Sequence, residues 1–318
     1  ALAILVSTGL VRYWHVVLLA LGLGLVNAFD MPVRQAYVVE LVGGRDDLMN
    51  AIALNSSIFN AARIVGPALA GLVMGTWGAG AAFYLNAVSF LAVIWGLWLI
   101  PAQPPAAARG DNRLLAHLKE GLAYVARERA VAGPLLLLGI LSAFAMNFNV
   151  LVPVYARSVL HESARGYGFL MSALGMGALV GSLSLAGRAR RGPDQRLLLL
   201  AGAGLGLFQL LLAGVKGYVL AAAVLALMGW AMITFVNSVN STIQLSVPDE
   251  LRGRVVSLYA LLLNGVSPIG AVFAGGLAGR CGAPVSIAAA GVIGVAASGA
   301  ALVAYLRDPR REQGPAAR

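Results

Sequence analysis

Long apolar stretches follow one another along almost the whole chain, and they restrict its fold more than any other feature. About 20 apolar residues in a helix are needed to cross the hydrocarbon core of a bilayer. Residues 1 to 11 look like the end of one such stretch. Complete stretches lie at about 14 to 40, 50 to 76, 79 to 100, 131 to 156, 165 to 187, 195 to 214, 217 to 246, 253 to 279 and 284 to 306. The sequence therefore predicts an all-α integral membrane protein.

The composition agrees with this class. Hydrophobic residues make up 59% of the 318 residues and charged residues only 11%, whereas a soluble domain carries about 25% charged residues. The 39 glycines suit closely packed membrane helices better than strands. Cys281 is the single cysteine, so an internal disulfide is excluded, and no Cys/His spacing is typical of a metal site. We expect no metal and no cofactor.

A segment of different character separates the third and fourth stretches. Pro101 and two nearby prolines end the preceding helix, and Asp111 is a candidate N-cap for a new one. We predict a basic amphipathic helix on the cytoplasmic membrane surface, with a soluble linker helix as the alternative. Its apolar residues fall on one face: Leu114, Leu115, Leu118, Leu122 and Val125.

A weak internal repeat indicates two similar halves. Aligning Val42 with Val247 places the turn GGRDDL at 43–48 beside PDELRG at 248–253. Turn, long helix, small-residue end and next helix recur in the same order, as expected for parallel repeats. The predicted domains are an incomplete N-terminal transmembrane bundle at 1–100, the linker at 101–130, a C-terminal six-helix bundle at 131–307 and a cytoplasmic tail at 308–318.

The basic residues predict the orientation. With the linker in the cytoplasm, alternation of the spans brings 17 of the 23 Lys and Arg residues, and the C-terminus, to the cytoplasmic side of the inner membrane. This agrees with the positive-inside rule. The net charge of +10 is spread over short loops. Nucleic acid is therefore not an expected partner, because such loops form no groove-reading module.

Three ionisable residues, Asp30, Arg34 and Arg63, lie inside apolar stretches, where charges are costly and by default functional. Asp30 lies about 15 Å from the helix end at 1.5 Å per residue, deep enough for a proton-coupling carboxylate. The alternative is a structural ion pair with Arg34, one turn away, or with Arg63 across a helical hairpin. Arg63 is also a candidate to bind an anionic group of a substrate.

Polar and aromatic residues within the predicted spans are candidates for a substrate cavity. Rings offer stacking surfaces and Asn side chains offer hydrogen bonds to a bulky amphipathic ligand. Hydrogen bonding between helices is the simpler explanation for each Asn, and packing for each ring. The candidates are Asn27, Asn55, Phe59, Asn147, Phe148, Asn149, Trp230, Asn237, Asn240, Tyr259 and Asn264.

Three stretches carry a resemblance to a known family. They are DMPVRQAYVVELVGGRDDLMNAIALNSSIFNAARIVGPALAG at 30–71, NRLLAHLKEGLAYVARER at 112–129 and VPDELRGRVVSLYALLLNGVSPIGAVFAGGLAG at 247–279. They resemble the major facilitator superfamily, and within it the exporter branch that contains bacterial enterobactin and macrolide efflux proteins. Gly66, Pro67 and Gly71 resemble a relaxed form of the family's antiporter motif, which exporters bear more often than uptake systems.

The resemblance implies a secondary active transporter, not an enzyme, that exports a small drug-like or siderophore-like molecule by alternating access. It implies proton antiport and a monomer in the lipid bilayer; a proton-coupled uptake symporter is the alternative. The spans at 79–100, 195–214 and 284–306 are expected to face lipid. The residues expected to gate the cytoplasmic side are Arg45, Asp46, Asp47, Arg188, Arg190, Arg191, Asp249, Glu250, Arg252 and Arg254.

The same resemblance implies two bundles of six helices, of which the first is incomplete here. About two and a half helices are expected upstream of residue 1, so the chain looks N-terminally truncated. If the central cavity needs those helices, the fragment is inactive as it stands.

Overall fold

The computed structural model describes residues 1–41, 45–99, 114–186 and 194–307, without the side chains of some residues in these helices. Every regular element in these ranges is a helix. The elements are α1 (Leu2–Ser7), α2 (Tyr13–Leu41), α3 (Arg45–Trp98), α4 (Leu114–Arg127), α5 (Arg129–Phe144), α6 (Phe148–Ser158), α7 (Ala164–Ala186), α8 (Gln195–Gly214), α9 (Tyr218–Ser246), α10 (Asp249–Ala260), a π-helix (Leu261–Gly265), α11 (Ser267–Cys281) and α12 (Ala283–Leu306).

The predicted all-α membrane fold is confirmed. Seven helical stretches of the described chain are long and apolar enough to cross a membrane. They correspond to the predicted spans from 79–100 onward: Leu69–Trp98, Ala130–Ser158, Ala164–Leu185, Gln195–Gly214, Tyr218–Ser246, Glu250–Cys281 and Ala283–Leu306. The two earlier predicted spans, at 14–40 and 50–76, are helical within α2 and α3.

Gly78 divides α3 into two helices. Its backbone has φ 81° and ψ 170°, a conformation that glycine adopts at little cost because it has no Cβ. The separation between the predicted spans at 50–76 and 79–100 therefore lies at this residue.

Two spans that the sequence presents as continuous are interrupted. The predicted span at 131–156 is present at Ala130–Ser158, but within it α5 ends at Phe144 and α6 begins at Phe148. The predicted span at 253–279 contains the π-helix between α10 and α11. Such interruptions free backbone groups that must find other partners in a membrane.

The chain divides into two compact units, Ala1–Ala108 with Ser163–Ser172, and Arg109–Glu162 with Ala173–Arg318. In the first unit, α1 is linked to α3 by the Ser7 and Tyr84 hydroxyls, 3.1 Å apart. In the second unit, large side chains fill the core, among them Leu138, Leu205, Met228 and Phe235. The domain boundaries given above remain a prediction.

Close helix crossings in the second unit depend on glycine. A methyl group on Gly177 of α7 would overlap the Ala226 carbonyl of α9, and one on Gly206 of α8 would lie 2.8 Å from the Gly291 carbonyl oxygen of α12. Such contacts are typical of small-residue packing between membrane helices. Gly275 and Gly279 of α11 do not make such close contacts: a methyl group on Gly275 would lie 3.7 Å from a Val150 methyl carbon, and no atom of the described chain lies within 4 Å of one on Gly279.

Candidate functional site

The break between α5 and α6 leaves backbone carbonyl groups without a helical N–H donor in the middle of a membrane span. The Ala143 carbonyl accepts a hydrogen bond from Asn147 Nδ2 at 2.8 Å. The Ala145 carbonyl accepts one from Gln209 Nε2 of α8 at 2.7 Å. Asn147 is 5% exposed and Gln209 2% exposed. Two buried amide side chains thus replace helical N–H donors, which avoids the cost of unpaired carbonyls in an apolar medium.

Helix α11 packs against this break. A methyl group on Gly270 would overlap both the Ala143 carbonyl oxygen and the Asn147 amide nitrogen. One turn further, the rings of Phe144 and Phe273 meet edge to face, with centroids 5.2 Å apart and an interplanar angle of 86°. Glycine at position 270 therefore allows α11 to approach the irregular backbone.

A second polar group lies on one face of α9. Gln244 Nε2 donates a hydrogen bond to Asn240 Oδ1 at 2.6 Å, and the side chain of Tyr259 in α10 lies beside Asn240. Asn237 lies one turn before Asn240 and is half-buried, as is Trp230. The structure thus brings the predicted cavity residues Asn240 and Tyr259 together.

The other predicted cavity residues are more dispersed. Phe148 is buried at the start of α6, whereas Asn149 is exposed. Asn264 is exposed in the π-helix and donates to the Ala260 carbonyl at 3.2 Å. Asn27 is exposed on α2. The side chains of Asn55 and Phe59 lie outside the described part of the chain.

The predicted charged site is described only in part. Asp30 lies on α2 and its side chain is exposed. The side chains of Arg34 and Arg63 lie outside the described residues. Neither the proton-coupling interpretation nor the ion-pair interpretation is tested, and both remain predictions.

The two glycines of the antiporter-like motif differ in their surroundings. A methyl group on Gly71 would lie 2.9 Å from the Ala164 carbonyl oxygen and 2.9 Å from Gly168 Cα, at the start of α7. Within the described chain nothing lies within 4 Å of a methyl group on Gly66. Pro67 lies in the helix, and its ring is not described. Of the two glycines, Gly71 therefore makes a close helix contact and Gly66 makes none with the described residues.

The linker helix α4 contacts the middle of α10 and the last residue of α9. Glu120 of α4 forms an ion pair with Arg254, and the Tyr124 hydroxyl donates to the Ser246 carbonyl at 3.4 Å. A methyl group on Gly121 would lie 3.2 Å from Arg254 Cβ. Burial, and then the nearby Glu128 carboxylate, raise the pKa of Tyr124, so this hydroxyl stays a neutral donor at physiological pH.

The remaining predicted gating residues are partly described. Arg252 is half-buried and donates from Nη2 to the Val247 carbonyl at 3.4 Å, and Glu250 is exposed. The other predicted gating side chains lie outside the described part: Arg45, Asp46, Asp47, Arg188, Arg190, Arg191 and Asp249.

Sequence reasoning missed three residues that the structure makes prominent, namely Gln209, Glu120 and Gly270. Apart from Gln195 at its first residue, Gln209 is the only amide in an apolar stretch that was expected to face lipid, and that isolation was the available signal. In the part of the chain that the structure describes, no group of three or more His, Cys, Asp or Glu side chains is placed to hold a metal ion.

Comparison with known proteins decides the family. The family model described as transmembrane secretion effector, one of the major facilitator group, matches residues 1–315. The chain belongs to this family. Its members are transporters, not enzymes, and the membrane-length helices agree with a multi-pass protein of the inner membrane.

Curated relatives of the chain are exporters. The enterobactin exporter EntS of Shigella boydii serotype 18 is 30% identical over 272 residues, which are 84% of this chain and 64% of the relative. The proteins of the same name from Escherichia coli O139:H28 and Escherichia fergusonii are each 29% identical over the same shares. The chain thus spans 64% of the length of these relatives.

Proposed function

We propose that this chain acts in the secondary active export of a small amphipathic molecule out of the cytoplasm. The observation that carries the proposal is the polar face of α9, where Asn240 and Gln244 hydrogen bond to each other and Asn240 meets Tyr259. Polar side chains are expensive within membrane helices and are retained there mainly for packing or for function. The export direction is supported by the family and by the names of the relatives.

The substrate class follows from the chemistry of these side chains. Amides and a phenol donate and accept hydrogen bonds, and the half-buried ring of Trp230 offers apolar surface. A molecule with both aromatic rings and polar groups suits such a lining. Enterobactin exporters are among the relatives, so a siderophore-like or drug-like compound is the substrate class that we propose.

We further propose that export is driven by proton antiport by way of Asp30, and that the substrate is exposed alternately to each side of the membrane. The relaxed antiporter motif at Gly66, Pro67 and Gly71 supports this direction. In the proposed orientation the linker and the C-terminus are cytoplasmic and the protein is a monomer. The charged ends of α3 and α10 gate the cytoplasmic side.

The test is transport by the protein from its complete reading frame in proteoliposomes. Enterobactin and the cationic dye ethidium are the two probes, and a pH gradient is imposed in either direction. We expect at least one probe to cross the membrane in the direction opposite to the flow of protons. Movement of the probe together with protons would instead favour the uptake symporter of the same fold.

The 318-residue chain is then measured in the same assay. If only the longer protein transports, the chain is an inactive fragment of the exporter as it stands. Binding of the probes to the 318-residue chain is measured by tryptophan fluorescence. Binding without transport would show that the binding surface is present and the transport cycle is missing. Absence of binding would show that the binding surface itself is missing.

A further inference from the structure

The membrane span Glu250–Cys281 changes its neighbours at the π-helix. Before the π-helix, α10 packs mainly against α4 and α9. After it, α11 packs mainly against α5, α6 and α12. The π-helix itself packs against α5, where a methyl group on Gly139 would lie 3.2 Å from Leu262 Cδ2. One span thus meets two sets of partners, and the change occurs within Leu261–Gly265.

Two contacts mark the two directions in which the span faces. Tyr259, just before the π-helix, is 9% exposed and lies beside Asn240 of α9. Gly270, in the first turn of α11, lies directly against the Ala143 carbonyl of α5. In a continuous α-helix, residues eleven positions apart are separated by about 1,100°, which is only about 20° around the axis. Tyr259 and Gly270 would then face nearly the same direction, and so the same neighbour.

The π-helix removes this conflict. Its hydrogen bonds reach one residue further than those of an α-helix, so its turn contains one additional residue. That residue rotates everything that follows by about 100° relative to an uninterrupted α-helix. Tyr259 can therefore face α9 while Gly270 faces α5. The additional residue sets the rotation of one half of the span relative to the other.

Asn264 is placed to hold the wide turn. In an α-helix the Ala260 carbonyl would accept a hydrogen bond from the backbone N–H of Asn264, four residues on. In a π-helix the backbone bonds run to the fifth residue instead. Here Asn264 Nδ2 donates to the Ala260 carbonyl at 3.2 Å. The side chain thus supplies a donor to a carbonyl that a continuous α-helix would use for its backbone, and this bond favours the wide turn.

We propose that Asn264 is a positioning residue, which stabilises the π-helix and thereby keeps Tyr259 on the polar face of α9. The inference rests on the proposed function for its effect on ligand binding. It goes beyond that function because it assigns Asn264 a role that acts through Tyr259 and not through a contact with the ligand.

Distances between spin labels test the rotation without any transport assay. The labels are placed in the protein from its complete reading frame, with Cys281 and any other cysteine replaced by serine. One pair reports α10 against α9, and the other reports α11 against α5. All four sites are exposed, and the substitutions are Ser257→Cys with Leu245→Cys and Val272→Cys with Leu136→Cys.

Two variants change the turn by different means. Deleting Leu263 removes the additional residue, and a rotation of about 100° moves a side-chain tip about 5 Å from the helix axis by about 8 Å. We therefore expect at least one of the two distances to shift by about 5 Å. Asn264→Leu keeps the chain length, removes the donor and is expected to add a population at the shifted distance. A single unshifted population in Asn264→Leu overturns the proposal, whether or not the deletion variant folds.

Two control variants separate the amide hydrogen bond from a general effect of an apolar substitution. Asn264→Ser is expected to keep both distances, because its hydroxyl can donate to the carbonyl four residues before it. Ser267→Leu makes a polar-to-leucine change just after the π-helix and is expected to leave both distances unchanged. A shift in Ser267→Leu as large as that in Asn264→Leu would contradict a specific role of the amide.

Binding of enterobactin, measured by tryptophan fluorescence, supplies the second readout. Tyr259→Phe and Asn264→Leu are each expected to lower the affinity about fivefold. If Asn264 acts through Tyr259, the double variant also loses about fivefold, whereas two independent ligand contacts would together lose about 25-fold. The larger loss would contradict a positioning role. If the intact protein neither binds nor moves a probe, the proposed function fails while the label distances still decide the role of Asn264 in the turn.

Discussion

The Glu120 carboxylate of the linker helix is paired with the Arg254 guanidinium of α10. This pair joins the linker helix α4 to the first half of α10, across 134 residues of sequence. Both side chains are partly exposed, 53% for Glu120 and 29% for Arg254, so the pair contributes about 0.2–1 kcal/mol.

The first prediction concerns this pair. Glu120→Ala is expected to lower the melting temperature only slightly, and Glu120→Lys is expected to lower it further because two cations then face each other. Adding Arg254→Glu to Glu120→Lys is expected to recover most of the loss, as a double-mutant cycle would show. Simple additivity of the two reversals would contradict a direct interaction.

The second prediction compares the two glycines of the antiporter-like motif. Gly71→Ala is expected to cost about 1–3 kcal/mol or to shift α3 away from α7, because the methyl group enters a closely packed contact. Gly66→Ala is the matched control and is expected to be tolerated, since its surroundings among the described residues are open. Thermal unfolding in detergent and counterflow measure the difference, and equal effects would refute the packing argument.

The third prediction concerns Gly270. A methyl group there would displace the Asn147 amide from the Ala143 carbonyl. Gly270→Ala is therefore expected to reduce stability by about 1–3 kcal/mol and to increase hydrogen–deuterium exchange in 143–151. Gly276→Ala lies in the same helix with no neighbour within 4 Å among the described atoms, so unchanged exchange is expected there.

The fourth prediction addresses proton coupling. Asp30→Asn is expected to abolish counterflow driven by a pH gradient, because the amide cannot release or bind the proton, while probe binding stays measurable. Full gradient-driven activity in this variant would remove Asp30 from the mechanism. Asp30→Glu keeps the carboxylate and is expected to retain part of the activity.

The fifth prediction addresses the polar face of α9. Tyr259→Phe removes the hydroxyl next to Asn240, and Asn240→Leu leaves Gln244 without its partner. Loss of a hydrogen bond to the ligand costs about 1 kcal/mol, so probe affinity is expected to fall about fivefold in each variant. If probe affinity is unchanged in both variants, these side chains have only a structural role.

Much of the fold was predictable because membrane insertion depends on local sequence. A run of apolar residues either is or is not long enough to span the membrane, and helix formation pairs most of its backbone groups within the segment. Gly78 illustrates this. It lies between the predicted spans at 50–76 and 79–100, and the helix is interrupted at this residue. The amphipathic pattern of α4 was readable for the same reason.

The interruptions and the partners of buried polar groups were not predictable. Residues 141–150 contain no proline or glycine that would end a helix, yet the span breaks between Phe144 and Phe148. Its carbonyls find donors in Asn147, within the same span, and in Gln209, far along the chain. Gly71 and Gly66 are likewise the same residue type in one motif, and only the packing of α7 distinguishes them.

The sequence by itself determined that this chain is an α-helical membrane protein and where most of its helices begin and end, because hydrophobicity and helix hydrogen bonding act over neighbouring residues. Only the tertiary structure decided which partner each polar side chain meets. Gln209 bonds to the Ala145 carbonyl and Tyr155 to the Val215 carbonyl. Asn240 lies beside Tyr259, and Glu120 pairs with Arg254. Such pairs join residues distant in sequence. Their formation depends on how the helices pack, which no local pattern specifies.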